Sequence, residues 1–184
     1  MAKVHPRIDA GLQQWIARQK VFFVATAPLS GAGHINCSPR GGDFLRVLDD
    51  HTVAWLDLTG SGAETIAHLK ENGRIVIMFC AFSGPPKVLR LHGRGEALPA
   101  GTPEFSRLRP LFPDAYGDRA IIRVDVERIS DSCGYGVPLL DFRAERDNLD
   151  RWTRAKDPEV LARYQADHNT TSIDGLPGLA PSEK

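Results

Sequence analysis

The residues best suited to chemistry lie in strand-like segments of the first half of the chain, at positions that packing alone does not explain. In the first segment, the two-residue period of a strand places His34, Asn36 and Ser38 on one face and Ile35 and Cys37 on the other. We expect the apolar face to meet a core. The polar face then offers hydrogen-bonding groups to a ligand.

The second segment runs from Val53 to Thr65 and leads into a predicted helix. The start of this helix has the features of an anion-binding site. Ser61 and Glu64 have the Ser-x-x-Glu spacing of a capping box, which predicts a helix that begins near Gly62. Free backbone N–H groups and the positive end of the helix dipole point outward at such a start, and they bind phosphate. The alternative is a plain helix cap without a ligand. Arg40 presents the same choice, because it is either a phosphate ligand or an exposed turn cation.

The third segment is a strand with alternating aliphatic and basic residues. Leu89 and Leu91 face inward by the strand period, while Arg90, His92 and Arg94 line the opposite face. These basic side chains suit an anionic ligand, or else the solvated face of an edge strand.

Helices flank the strands that must position these segments. The hydrophobic patterns predict helices near 9–19, 62–72, 103–111, 149–152 and 161–164, and strands near 21–27, 34–38, 44–48, 52–58, 74–81, 87–98 and 120–128. Gly93 and Gly95 predict a bend or bulge in their strand. The tail from Asn169 is expected to be an extended loop.

These elements predict a mainly β fold with flanking helices. The best match is a closed or nearly closed antiparallel barrel, because closure removes exposed sheet edges, and an open sandwich is the alternative. We expect one domain, with the barrel at about 20–130 and a C-terminal extension of helices and loop at about 139–184.

Composition and charge exclude several classes of function. The 23 basic and 23 acidic residues balance, which gives no electrostatic support for a nucleic-acid or membrane partner. Cys37, Cys80 and Cys133 form neither a disulfide framework nor a metal-binding motif. The histidines form no metal-ligand pattern either, so we expect no metal. With no apolar run of membrane-spanning length and no signal-peptide pattern, a cytoplasmic protein is expected.

The order of four segments resembles a known family. Asn-Cys-Ser-Pro-Arg-Gly from Asn36, Trp-Leu-Asp-Leu-Thr-Gly-Ser from Trp55, the helix sequence from Glu64 to Arg74, and Arg-Leu-His-Gly-Arg-Gly-Glu from Arg90 are similar to the pyridoxamine 5′-phosphate oxidase-like split barrels. The resemblance implies a six-stranded split barrel that forms a homodimer, with FMN in a groove at the subunit interface. Carried over by position, it implies these cofactor-binding residues: Asn36, Ser38, Arg40, Thr59, Gly60, Ser61, Thr65 and Arg90.

The departures from the family limit the expected reaction. Two cationic positions of the true oxidases are missing, and the region after Asp141 lacks their substrate motif with Arg and His. We therefore expect an FMN-dependent oxidoreductase with an unidentified small-molecule substrate that is not a true pyridoxamine phosphate oxidase. No residue stands out as a general acid or base.

Two further functions stay open at this point. One is a deazaflavin (F420)-dependent reductase of the same fold, and the other is a non-catalytic protein that binds flavin or haem, with His34 or His92 as the axial haem ligand. A glycine-rich loop around Cys133 is a second candidate site, because its backbone N–H groups can approach a flavin or a substrate.

Overall fold

The structure is a computed structural model, and it describes residues 3–179. Strands β1 to β8 span Lys3–His5, Val21–Thr26, Asn36–Gly41, Leu45–Val47, Thr52–Leu58, Arg74–Cys80, Val88–Pro99 and Asp118–Ser132. Helices α1 to α5 span Ala10–Ala17, Glu64–Asn72, Pro103–Leu108, Asn148–Arg154 and Pro158–His168, and a 3₁₀ turn follows α3 at Arg109–Leu111. No helix within the described part of the chain is long and apolar enough to cross a membrane.

All eight strands join one antiparallel sheet in the order β3-β2-β6-β7-β8-β5-β4, with β1 paired to the end of β8. The sheet curls strongly, because the rings of Phe22 on β2 and Trp55 on β5 lie 6.0 Å apart although three strands separate β2 from β5. This is the predicted antiparallel split barrel with flanking helices. Six strands are long, as the family resemblance implied, and two three-residue strands add to them. Of these two, β4 was predicted near 44–48, whereas β1 was not predicted.

Two apolar cores lie on opposite faces of the curled sheet. The larger core fills the inside of the barrel, where α1 and α2 close it with Ile16 and Ile66. The smaller core lies outside, where α3 packs Phe105 and Leu108 against Leu56 of β5. Strand β5 therefore buries both faces, with Val53 and Trp55 in the larger core and Ala54 and Leu56 in the smaller one, which explains its continuous apolar run.

A bulge in β7 confirms the expectation from its glycines. The register with β8 shifts between His92 and Gly93. The backbones approach so closely there that a Cβ at Gly93 would lie 2.1 Å from the carbonyl oxygen of Asp125. Only glycine fits at this close approach of the two backbones.

The prediction for β3 was wrong in two respects. The strand begins at Asn36, so His34 lies in the loop before it. The apolar face does not meet the core, since Ser38 pairs with Val24 and shares its inward face, whereas Cys37 is exposed. The reason is that β3 is an edge strand of the split, where polar side chains find partners on α2 and β5.

The predicted capping box is also wrong. Helix α2 begins at Glu64, its N-cap residue is Ala63, and no side chain caps it. The Glu64 carboxylate instead accepts a hydrogen bond from the backbone of Ile173, 3.3 Å away. The C-terminal tail therefore takes the place of the Ser61 contact. At the other end of the helix, Gly73 has the expected left-handed conformation, with φ 70°.

Candidate functional site

The split of the barrel holds a buried carboxylate between two arginines. Asp57 is the last inward-facing residue of β5, and its side chain is fully buried. The Nη1 atom of Arg40 on β3 lies 3.1 Å from Asp57 Oδ1, and the Nε atom of Arg119 on β8 lies 2.8 Å from Asp57 Oδ2. A buried carboxylate needs such paired cations. The triad has one formal positive charge left over.

Both arginines of this triad have further N–H groups besides those that face Asp57. Arg119 donates from Nη1 to the carbonyl oxygen of Gly62, 2.8 Å away, and so fixes the loop before α2. The Nε atom of Arg40 is buried and has no hydrogen-bond partner within residues 3–179. An unpaired buried N–H group is costly unless an oxygen atom of a ligand or a water molecule accepts from it.

A chain of hydrogen bonds extends from β3 to α2. Ser38 donates its hydroxyl to Asn36 Oδ1 at 3.2 Å. The Asn36 amide nitrogen donates to Thr65 Oγ1 at 3.0 Å and to Thr26 Oγ1 at 3.2 Å. Thr26 in turn contacts His68 Nδ1 at 2.9 Å, and His68 is fully buried. The structure thus brings Asn36, Ser38 and Thr65 together beside the triad.

The loop after β5 carries three further residues from the prediction, with different environments. Thr59 is fully buried, donates its hydroxyl to Gly117 O at 2.7 Å and accepts from Gln165 Nε2 at 2.7 Å. The carbonyl oxygen of Gly60 accepts from Asn169 Nδ2 at 3.0 Å. Ser61 is exposed and makes no side-chain hydrogen bond with the described residues.

Arg90 lies apart from these residues. Its register partner on β6 is Met78, which pairs with Phe23 of β2, and this row of the sheet faces outward. Arg90 donates from Nη1 to Ser132 Oγ at 3.2 Å. Within a single chain, the structure does not bring Arg90 to the cleft that holds Arg40.

The outward face around Arg90 is cationic. His92 lies in the next row, and burial, followed by the positive charges of Arg128 and Arg90, lowers the pKa of its imidazole. Its Nδ1 atom is buried and lacks a hydrogen-bond partner within the described range. His92 is therefore neutral at neutral pH.

The loop around Cys133 borders an open groove of about 560 Å³ between α1 and the ends of β6 and β8. The thiol is exposed. On the same groove, Lys87 lies 3.8 Å from Asp131 and over the ring of Trp15 at 5.1 Å. The groove mixes one acid with the cations Lys87 and Arg18, which gives it no clear preference for an anion.

Sequence reasoning missed the residues that organise the cleft, namely Asp57, Arg119, Thr26 and His68. Asp57 carried a usable signal, because it is the one charged residue in the apolar run from Val53 to Leu58. The others gave none, since their partners are distant in the sequence. Among residues 3–179, no group of three or more His, Cys, Asp and Glu side chains is placed to hold a metal ion.

The chain is similar to a known protein family. A family model described as pyridoxamine 5′-phosphate oxidase matches residues 8–133. The pyridoxamine 5′-phosphate oxidase family protein ustO of Aspergillus flavus is 38% identical over 189 residues, which cover 94% of this chain and 76% of that protein.

Two solved structures share the fold. HupZ of Group A Streptococcus aligns with a TM-score of 0.51 and 23% identity, over 66% of this chain and 91% of that one. A Lactobacillus delbrueckii protein that carries the pyridoxamine 5′-phosphate oxidase name aligns with a TM-score of 0.53 and 12% identity, over 69% of this chain and 98% of that one. At these identities the two structures show the split-barrel architecture alone.

Proposed function

The chain belongs to the pyridoxamine 5′-phosphate oxidase family, and we propose that it is an FMN-dependent oxidoreductase whose cofactor phosphate binds in the cleft at the split. The supporting observation is Arg40, a cation of the cleft whose buried Nε has no partner within the described chain. A phosphate group gives up its hydration for charge-assisted hydrogen bonds of this kind. The leftover positive charge of the Arg40–Asp57–Arg119 triad favours an anion there.

The other predicted ligands complete the cradle. Ser61 has a free hydroxyl at the rim, and the hydrogen-bonded chain of Asn36, Ser38 and Thr65 lines the wall. Thr59 supports the loop that carries Gly60 through its bonds to other elements. Bound FMN would supply the hydride or electron transfer, while these residues hold the phosphate and thereby orient the cofactor.

Arg90 joins the site in this proposal through a second copy of the chain. It lies on the outward face, next to a half-buried apolar row of Phe23 and Met78 and the neighbouring row of Ala25 and Val76. These four residues belong to neither core. A homodimer that covers this face would bring Arg90 of the partner subunit towards the cleft, with two equivalent sites as twofold symmetry requires.

The proposed substrate is a small molecule other than pyridoxamine or pyridoxine phosphate. A phosphorylated substrate needs its own cationic clamp beside the flavin. The arginines of α4 do not form one, since Arg151 lies 3.1 Å from Asp147 and Arg154 lies 2.7 Å from Asp150. Their charges are matched on the helix itself.

The test is reconstitution of the purified protein with FMN. We expect flavin absorption bands after removal of free cofactor and quenching of flavin fluorescence at micromolar protein. Absence of FMN binding at that concentration would refute the proposal. An absorption spectrum of the protein as purified, before FMN is added, would show a deazaflavin or haem bound in place of FMN. An assay for pyridoxal phosphate formation under oxygen is expected to be negative, and robust formation would refute the proposed substrate class.

A further inference from the structure

A fully buried histidine lies behind the wall of the cleft. His68 is in the middle of α2 and has no exposed surface, although its neighbours Ile66 and Leu69 on the same helix are apolar core residues. Its Nδ1 atom lies 2.9 Å from Thr26 Oγ1 of β2. Burying a polar ring is costly unless it forms hydrogen bonds. The position of His68 therefore needs an explanation beyond packing.

The contact of His68 extends to the edge strand β3 through two further side chains. Thr26 Oγ1 also accepts from Asn36 Nδ2 at 3.2 Å, and the same amide group donates to Thr65 Oγ1 at 3.0 Å. Among the described strands, β3 pairs only with β2, so its other edge is free. These side-chain contacts therefore tie the inward face of β3 to α2.

The hydrogen bonds of this network run in one direction. Asn36 gives one amide hydrogen to Thr26 and the other to Thr65. Its Oδ1 atom is the end that accepts, and Ser38 donates its hydroxyl to it at 3.2 Å. Within the described chain, the acceptor that remains for the Thr26 hydroxyl is His68 Nδ1. A neutral imidazole has one donor and one acceptor nitrogen, so the ring then carries its hydrogen on Nε2. This hydrogen has no acceptor among the described residues, and a buried water molecule would satisfy it.

The direction of the network decides what Ser38 offers to a ligand. Its one hydroxyl hydrogen points to Asn36, so only the lone pairs of its oxygen remain. Ser38 is half-buried and lies on the same face of β3 as Arg40, about 7 Å away along the strand. Phosphate oxygens are acceptors as well and gain nothing from such a group. A hydroxyl group of a ligand can donate to it.

We propose that His68 is a positioning residue of the cofactor site, and that it leaves Ser38 as an acceptor for a hydroxyl group of the ligand. This inference rests on the proposed function, in which Arg40 takes the phosphate of FMN. The ribityl chain next to that phosphate carries hydroxyl groups, and one of them is the donor that Ser38 binds. Ser38 therefore recognises the polyol part of the cofactor and not its phosphate.

The hydrogen on the His68 ring can be located without any flavin. Long-range proton–nitrogen correlation spectra of the isotope-labelled native chain, in mildly alkaline buffer, show which ring nitrogen carries hydrogen, and His68→Asn identifies the signals by their loss. We expect hydrogen on Nε2. Thr26→Val should shift the Nδ1 signal of His68 and leave the ring of His51, which lies against β8, unchanged as a control. Hydrogen on Nδ1, or on both nitrogens, would overturn the direction of the network and the role of Ser38.

Amide hydrogen exchange tests the positioning of β3, also without flavin. Thr26→Val keeps the shape of the side chain and removes its hydroxyl, so the contacts with Asn36 and His68 are both lost. Exchange in residues 36–41 should become faster, because the edge strand then opens locally at a lower cost. The peptides of β7 and β8 should stay unchanged. Unchanged exchange in β3 would overturn the positioning role, as would an equal acceleration over the whole chain.

Binding of two flavins tests the ligand group. Ser38→Ala should raise the dissociation constants for FMN and riboflavin by the same factor, about threefold to tenfold, because both carry the ribityl hydroxyls. His68→Leu should have the same effect, and His68→Asn should restore most of the lost affinity, since its Oδ1 atom can accept from Thr26 in place of Nδ1. Ser106→Ala is the control, because that exposed hydroxyl donates to the backbone of α3. A loss for FMN alone would place Ser38 on the phosphate and overturn the inference.

The outcomes separate the two proposals. If the native chain binds neither flavin, the proposed function fails, and the His68 spectrum with the exchange of β3 decides the positioning role alone. If FMN binds but His68 carries its hydrogen on Nδ1, the function stands and the role proposed for His68 and Ser38 fails.

Discussion

Arg40 on β3 and Asp57 on β5 form an ion pair across the split, with 3.1 Å between Nη1 and Oδ1, although their strands are not neighbours in the sheet. The pair joins two walls of the cleft. If Arg40 binds the FMN phosphate as proposed, the same guanidinium also links cofactor binding to the stability of the barrel.

Loss of Arg40 should therefore weaken phosphate recognition selectively. Arg40→Ala is expected to raise the dissociation constant for FMN about tenfold or more, and that for riboflavin far less, because riboflavin lacks the phosphate. Fluorescence titration measures both. Arg123→Ala is the matched control, since Arg123 pairs with Glu96 on the outward face and is similarly half-buried. Equal losses for the two ligands would remove Arg40 from the phosphate site.

Asp57 should matter mainly for stability. Asp57→Asn leaves Arg119, whose side chain is 4% exposed, without its counter-charge. Breaking a buried pair in this way costs roughly 3–5 kcal/mol. Asp43→Asn removes the partner of Arg46 at an exposed position and should cost less than about 1 kcal/mol. Urea unfolding compares them, and similar values for both would contradict the structural role of the triad.

The close approach of the β7 and β8 backbones at Gly93 should tolerate no side chain at this position. Gly93→Ala forces the backbones apart and is expected to destabilise the protein by about 1–3 kcal/mol. Gly136→Ala is the control, because a Cβ there meets no atom within 4 Å. Thermal melting of both variants checks this, and a neutral Gly93→Ala would show that the bulge is not constrained.

A charge on the outward face should disrupt the proposed dimer. Light scattering of the native chain is expected to give about twice its mass of 20.2 kDa. Met78→Glu should shift the mass to that of the monomer, because it places a carboxylate in the apolar row. Val160→Glu on exposed α5 should leave the dimer intact. A native monomer that still binds FMN tightly would rule out the shared groove.

Asp131 should make stability depend on acid pH. Burial raises the pKa of its carboxyl, but the hydrogen bond and charge of His5, with the charge of Lys87, outweigh burial and hold it below 3.8. Because the folded pKa is lowered, the stabilisation is present above the unfolded value and is lost as the pH falls through the folded one. Asp131→Asn should lower the melting temperature at pH 7, and the difference should vanish in strong acid. A pH-independent difference would assign the effect to packing.

Strand periodicity predicted much of the fold. It placed Leu89 and Leu91 inside and Arg90 and His92 outside, because this part of β7 alternates between a buried and a more exposed face. The bounds of β5 followed instead from its apolar run, which is buried on both faces. It failed at β3. An edge strand at the split has no continuous core on either face, so polarity does not tell which side points inward.

The candidate site was predictable only in part, because its contacts are long-range. Proximity of Asn36 and Thr65 followed from the family resemblance. The contact between the side chains of His34 and Asp174 did not, since these residues are 140 positions apart in the sequence and each has an ordinary polar neighbourhood. Local patterns carry no information on such pairs.

The placement of Arg40 and Arg90 on opposite faces of one sheet has a genetic consequence. In the proposed dimer each site takes Arg40 from one subunit and Arg90 from the other. Two inactive chains, one with each arginine replaced, would then restore one complete site when they are co-expressed and pair. The activity of a mixed dimer would exceed that of either parent, as in intersubunit complementation.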